Sequence, residues 1–362
     1  MREHFFEYFR PTEDEVKSLW AEAIFVFDTN VLLNLYRMSR ETSKKMQQIL
    51  VSLKGRLFLP NQVGIEFFKH AEEEIAKQVN AFELVKRNLQ KIPGDFSKEF
   101  SRHPCIPIAE IAEALKECVN NQIDKVKQSQ EGNQLNFLVH DDPILSELNS
   151  LFSGASEGRQ ASEEDDAVNQ SVEDRVLKNL APCFVPSGPK VPPENNPHRG
   201  DGRVWFQIVN YSRKAKKSIV FVTGDMKPNW WRTAKLGSED RPIGPHFALI
   251  RDVADASTCK FWMYTQEQFL SMAPTYLGAS EQTKAIEELR ILQEALSLQA
   301  ANDELGEPKT RMHKRLEESD GPAPDSEGAL MEKDSDLAEE PKSVPQDEPK
   351  KGHGSEMEDE AR

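Results

Sequence analysis

Two short apolar runs, each closed by an aspartate, constrain this chain more than any other feature. Ala23 to Phe27 is continuously apolar, which suits a strand buried on both faces of a parallel sheet. Asp28, Thr29 and Asn30 follow at once, and Val31, Leu32, Leu33 and Leu35 then begin a helical run. Ser218 to Val222 repeats the strand pattern and ends in Thr223, Gly224 and Asp225. An acid at such a junction lies at the carboxyl end of a strand, the edge where open α/β sheets bind ligands. Asp28 or Asn30 serves equally well there as a helix cap, so both roles stay open on this stretch alone.

The rest of the chain alternates in the same manner. Pro11 to Trp20 predicts a helix capped by Thr12, and Glu41 to Leu53 another, stopped by Gly55. Leu57 to Leu59 predicts a strand ended by Pro60. Asn61 then caps a long helix through about Leu89, carrying Val63, Glu66, Phe67 and Phe68 near its start. Helical patterns recur at Ile108–Val126, Pro143–Phe152 and Val172–Leu180, with an exposed acidic loop over 153–166. Six prolines between 182 and 197 make an extended loop. Asp201 opens a helix with Val204, Trp205, Ile208 and Val209 on one face. Its basic end, Arg213 to Lys217, suits the helix dipole. A helix over Gly244–Ala256, a strand over Lys260–Tyr264 and a helix over Gln266–Met272 follow. This alternation implies a parallel sheet with right-handed crossovers and helices on both faces.

If the two aspartate-ended strands are neighbours, Asp28 and Asp225 stand side by side. Glu66 and Asp201, each read in the first turn of a helix, can point to the same place, although a solvated role is the ordinary one for an isolated helix glutamate. Four carboxylates gathered there repel one another, and a hard divalent cation relieves the repulsion. Oxygen-only ligands select Mg²⁺ or Mn²⁺ over zinc. Arg175, Lys178 and Lys190 are candidates for phosphate contact, or else solvated surface charge.

Charge sorts the chain into a body and a tail. The net charge is -15, yet residues 301–362 hold 19 of the 61 acids and only 9 of the 46 bases. The body is only mildly acidic, which leaves a phosphodiester substrate open because bound cations reverse the local sign. The four cysteines form no C-x-x-C pair and suit a reducing compartment. No signal-peptide or membrane-spanning run is found, so a soluble cytoplasmic protein is expected. Residues 281–300 place Ile286, Leu289, Leu292 and Leu296 at helical spacing, for docking on the domain or on a second subunit. From 301 the tail is rich in Pro, Glu, Asp, Ser and Lys, a composition of disorder.

These motifs resemble the PIN-domain nucleases, closest to the bacterial PIN-like subfamily of long chains. The family's marks are an acid in hhhDTN, a helix glutamate, a later helix aspartate and TxD after a core strand. They fall on Asp28, Glu66, Asp201 and Asp225. FDTNVLLNLYR, LPNQVGIEFFKH, DDPILSELNSLFSG and GDGRVWFQI have counterparts in the subfamily, and the resemblance covers about residues 5–275. It implies an α/β, Rossmann-like parallel sheet flanked by helices, with a helical and proline-rich insertion over 93–200. It also implies an Mg²⁺- or Mn²⁺-dependent endonuclease, acting on RNA more than DNA, with the four acids as ligands. Asn30 and Thr223 would position those ligands, Lys227 would steady a phosphate, and the products would carry 5′-phosphate and 3′-hydroxyl ends. A toxin or phage-defence role is what the resemblance suggests. The rival readings are a PIN-like module that binds RNA or protein without cutting, and a structure-specific DNA nuclease. A chain ending near Ala300 is expected to keep its melting temperature within about 2 °C of the full chain, because the tail offers no apolar surface to bury. A larger drop, measured by thermal unfolding, would show the tail packing on the body.

Overall fold

Ile24–Phe27 forms β1, buried at every position, and it lies inside the sheet rather than at an edge. The computed structural model describes residues 1–100, 105–132, 142–158, 162–185, 195–237 and 239–304. Lys190 and the tail from 305 lie outside the described residues. Along the chain, α1 (Glu13–Glu22) leads into β1, then α2 (Thr29–Arg37), α3 (Arg40–Ser52), β2 (Leu57–Phe58) and the long α4 (Asn61–Phe100). Next come α5 (Ile108–Gly132), α6 (Pro143–Phe152), α7 (Ser162–Leu177), α8 (Arg199–Ala215) and β3 (Ile219–Thr223). The hairpin β4 (Trp231–Leu236) and β5 (Glu239–Pro245) precedes α9 (Phe247–Ser257), β6 (Phe261–Thr265), α10 (Gln266–Leu277) and α11 (Thr283–Glu304).

The four long-range strands pair in the order β2-β1-β3-β6, all parallel. Phe27 is level with Val222, so β1 and β3 end together. From β1 the chain first crosses to β2 on one side and later returns to β3 on the other. The carboxyl ends of β1 and β3 therefore form the switch point of the sheet.

Strand side chains alternate between two helical layers. On one face Phe58 stacks on Tyr211 of α8 at 3.9 Å and Phe261 meets Trp205 at 4.9 Å. On the other, Phe25 and Phe27 pack against Phe269 of α10. Trp20 of α1 joins that second layer. It is fully buried, stacks on Phe269 and Tyr276, and donates its Nε1–H to the Tyr264 hydroxyl at 3.2 Å.

Several expectations need correction. Helix α4 does not stop near Leu89 but continues through Pro93 to Phe100. Helix α5 folds back along it, and Lys86 reaches Gln130 at 3.1 Å, so packing offsets the hydrogen bond that Pro93 removes. Asn61 is the first helical residue rather than the cap, since the Pro60 carbonyl already accepts from the Gly64 N–H. Residues 162–166 are helical, not loop; Glu163, Glu164 and Asp165 form the acidic first turn of α7, where the dipole favours them. Gly244 and Pro245 close β5, and the following helix starts only at Phe247. Helix α11 needs no such correction, since it docks on its own domain, one of the two placements expected: Ala285 and Leu289 are buried, and Glu288 accepts from the Ser39 hydroxyl at 2.7 Å. Among the described residues no helix is long and apolar enough to cross a membrane. Trp20→Ala is expected to cost about 3–5 kcal/mol in chemical denaturation, because four aromatic neighbours lose a packing partner. A loss below about 1 kcal/mol would show that this layer collapses easily onto the void.

Candidate active site at the carboxyl edge of the sheet

The switch point is tied together by a hydrogen-bonded knot of side chains. Asp28 caps α2, its Oδ1 accepting from the Thr29 N–H at 2.8 Å. Its Oδ2 accepts from Asn30 Nδ2 at 2.7 Å and from the Thr223 hydroxyl at 2.6 Å. Asn30 Oδ1 accepts from the Gly224 N–H at 2.7 Å, and the Thr223 oxygen accepts from the Asp225 N–H at 2.9 Å. A Cβ on Gly224 would lie 3.0 Å from Asn30 Oδ1, so this turn has no slack for a larger residue. Capping and site roles thus coincide at Asp28, and Thr223 and Asn30 hold it in place.

Asp225 has one cationic partner here. Its Oδ1 accepts from the Lys227 N–H at 2.9 Å, and its Oδ2 faces Lys227 Nζ at 3.1 Å. Trp231 Nε1–H donates to the Asp225 carbonyl at 2.6 Å and fixes the backbone behind it.

Asp201 and Glu66 arrive from α8 and α4. Asp201 stands in the first turn of α8, while Glu66 lies in the second turn of α4. Asp201 Oδ2 meets His198 Nδ1 at 3.0 Å and accepts from Asn229 Nδ2 at 2.9 Å. Asn229 is fully buried, and its Oδ1 has no hydrogen-bond partner. Glu66 accepts from Thr29 Oγ1 at 3.2 Å and Gln62 Nε2 at 2.8 Å. Gly200 comes so near that a Cβ there would lie 3.1 Å from Glu66 Oε1. The buried Gln207 of α8 accepts from the Gln62 N–H at 3.0 Å, satisfying one of the free amides at the start of α4. That bond locks together the two helices that carry Glu66 and Asp201.

Electrostatics shows that the aspartates feel one another. Burial first, then the Asp201 and Asp225 charges, push the Asp28 carboxyl up to about 7, against the hydrogen bonds from Thr223 and Thr29. Burial works against the Lys227 charge, yet Asp225, Asp201 and Asp28 together hold its ammonium above the usual lysine range. Among the described residues, however, no three His, Cys, Asp or Glu side chains converge closely enough to hold a metal ion. The donor set, all oxygen and mutually repelling, fits a hard divalent cation in chemistry. In position, the carboxylates are turned toward protein donors instead of toward one another.

A family model described as a PIN like domain matches residues 24–244, more than half of the chain. The chain belongs to the PIN-like domain family. No curated protein and no solved structure matches it. PIN domains are commonly metal-dependent nucleases, and the four acids singled out in the sequence all lie on the strand ends and helices around this PIN-like switch point.

Other sequence candidates lie elsewhere. Arg175 is buried, pairs with Asp252 at 2.6 Å and covers the Phe206 ring, so it is not presented to a phosphate. Lys178 is exposed just beyond α7. His198, Asn229 and Gln62 were not singled out in the sequence. The His198–Asp201 spacing of three at a helix start was a visible signal, whereas Asn229 gave none.

The raised Asp28 carboxyl sets a pH dependence. The unfolded carboxyl titrates near 3.8 and the folded one near 7, so the folded state binds the extra proton between them. Stability from this group is therefore lost as pH rises through that window and is constant above it. The ceiling is about 4 kcal/mol, reduced by solvent screening because Asp28 is only half-buried. In EDTA, Asp28→Asn is expected to melt above wild type at pH above about 7 and without gain near pH 4. Melting below wild type at both pH values would make the hydrogen-bonded knot, not charge repulsion, the governing term.

Proposed function

We propose that this PIN-like protein is a divalent-metal-dependent endonuclease that hydrolyses phosphodiester bonds, with RNA as the substrate. The observation that carries this reading is the level ending of β1 and β3, which sets Asp28 beside Thr223 and Asp225, with Asp201 of α8 close enough for its charge to add to burial in raising the Asp28 carboxyl. Asp28 and Asp225 would hold the principal Mg²⁺ or Mn²⁺, with Asp201 and Glu66 completing the set. A divalent cation bound there supplies Lewis-acid stabilisation of the charge that builds on the phosphate oxygens. Asn30 and Thr223 keep Asp28 oriented, and His198 and Asn229 do the same for Asp201. Lys227, whose side chain is 65% exposed, can leave Asp225 and pair with a phosphate oxygen instead. In-line attack by water with departure of the 3′-oxygen leaves 5′-phosphate and 3′-hydroxyl ends. A toxin or phage-defence role in the cytoplasm fits such an activity.

One observation favours a second reading, a module that binds nucleic acid without cutting it. The Lys227 ammonium sits on Asp225 where a cation would bind, and the carboxylates are not gathered round a point. Product-end analysis separates the two readings. Labelled single-stranded RNA, structured RNA and DNA are incubated with Mg²⁺ or Mn²⁺, with and without EDTA. EDTA-sensitive cleavage to 5′-phosphate ends is expected, falling on the order of 10³-fold in Asp28→Ala, Asp201→Ala and Asp225→Ala. Cyclic-phosphate ends, EDTA-resistant cleavage or full activity in these variants would overturn the nuclease mechanism. Tight binding without any cleavage would favour the second reading.

A further inference from the structure

Helix α7 carries six acids, Glu163, Glu164, Asp165, Asp166, Glu173 and Asp174, against the single base Arg175. Three of the acids pair with cations of α8: Glu164 with Lys214 at 3.0 Å, Asp165 with Arg203, and Glu173 with Arg199. Asn169 of α7 also accepts from Arg203. Arg199 and Arg203 flank Asp201, two residues to either side. Arg203 Nε donates to Gln62 Oε1 at 3.1 Å, and Gln62 in turn donates to Glu66. One side chain therefore separates this guanidinium from the acid cluster.

Helix α7 packs on α8 through buried valines that stand apart from the main core. Val168, Val172, Val176 and Cys183 form a small cluster of their own, apart from the main core, with Phe206 of α8 packed against it. The Arg175–Asp252 pair ties the carboxyl end of α7 to α9. The remaining attachment includes the ion pairs, and they are partly open to water. Side-chain exposure is 23% and 40% for Arg203 and Asp165, and 34% and 37% for Arg199 and Glu173. Arg199 meets Glu173 through both terminal nitrogens, yet water screens pairs at this exposure. Guanidinium groups make the same two-pronged bonds to phosphate, so a phosphate can take the place of the carboxylate.

We propose that Arg199 and Arg203 form a phosphate-binding ledge for the substrate strand, and that the acids of α7 are its built-in competitor. The inference rests on the nuclease reading of the adjoining site and adds how that site selects its substrate. A strand passing Glu66 exchanges carboxylate for phosphate at both guanidinium groups. A single phosphate displaces one acid. Consecutive phosphates displace Asp165 and Glu173 together, so α7 selects for a polynucleotide over a mononucleotide.

The test is binding of a labelled single-stranded oligoribonucleotide to the full chain, in EDTA so that turnover is blocked. Glu164→Gln/Asp165→Asn/Glu173→Gln is expected to bind about threefold to tenfold tighter than wild type. Glu163→Gln/Asp166→Asn removes charge from α7 without touching those pairs and is expected to stay within about twofold of wild type. Arg199→Gln/Arg203→Gln should bind more weakly, with a log–log salt slope shallower by about 1.4. If the triple variant loses its wild-type melting temperature, Glu173→Gln alone removes the carboxylate charge that faces Arg199 and should shift affinity in the same direction. Wild-type binding with no change in the acid variants, or an unchanged salt slope in the arginine variant, overturns the ledge and leaves the nuclease reading intact. Absence of binding in both wild type and the neutralised variant overturns the ledge, and the nuclease reading then stands or falls on the Mg²⁺- and Mn²⁺-dependent cleavage assay.

Discussion

The parallel pairing of β1 with β3 is the constraint on which the rest depends. With Phe27 level with Val222, the two strands end at one height, and Asp28 and Thr223 come within a hydrogen bond. Both strands are buried at every position, so neither can slip by a residue without driving apolar side chains out of their layers. The register that builds the core therefore also fixes the separation of the carboxylates. Hydrophobic burial thereby supplies the energy that holds like charges near one another.

Helices α4 and α8 complete the arrangement. Gln207 capping α4 and Arg203 bridging to Gln62 tie α4 and α8 into one unit, so Glu66 and Asp201 cannot move independently. The result is asymmetric. The Asp28 carboxylate is held by three protein groups in and beside the strands, whereas Asp225 faces a lysine that is mostly in water. A site built this way has one rigid wall and one exchangeable partner, which suits a centre that must admit a cation and a charged strand in turn.

Most of this was legible in the sequence where burial is continuous. The runs Ala23–Phe27 and Ser218–Val222 announce parallel strands, and Pro143–Phe152 is a helix with the bounds its pattern suggests. What escaped depends on partners distant in the chain. Pro93 reads as a helix breaker until α5 is seen packed along α4. The β4–β5 hairpin hid behind Gly244, read as a helix start, although Gly237 at φ +70 marks its turn. Arg175 looked like a surface cation because Val168, Val172 and Val176 make only a narrow apolar stripe on an otherwise acidic helix, and its Asp252 partner on α9 shows which way it points. Asp201 was read correctly as a helix-start acid, but its holders escaped: His198 was marked only by its spacing of three from Asp201, and Asn229 meets it from a distant part of the chain.

The claim at the centre of this account is that the switch-point acids form a cation site. Thermal unfolding of the full chain over a series of Mg²⁺ and Mn²⁺ concentrations, at pH above the Asp28 value of about 7, tests it directly. A ligand that binds only the folded state adds about 2.7 kcal/mol at a hundred times its dissociation constant. The melting temperature should rise with either ion, saturate, and fail to rise in Asp225→Asn. An unmoved melting temperature in wild type, or an equal rise in Asp225→Asn, would contradict a cation site built on these carboxylates.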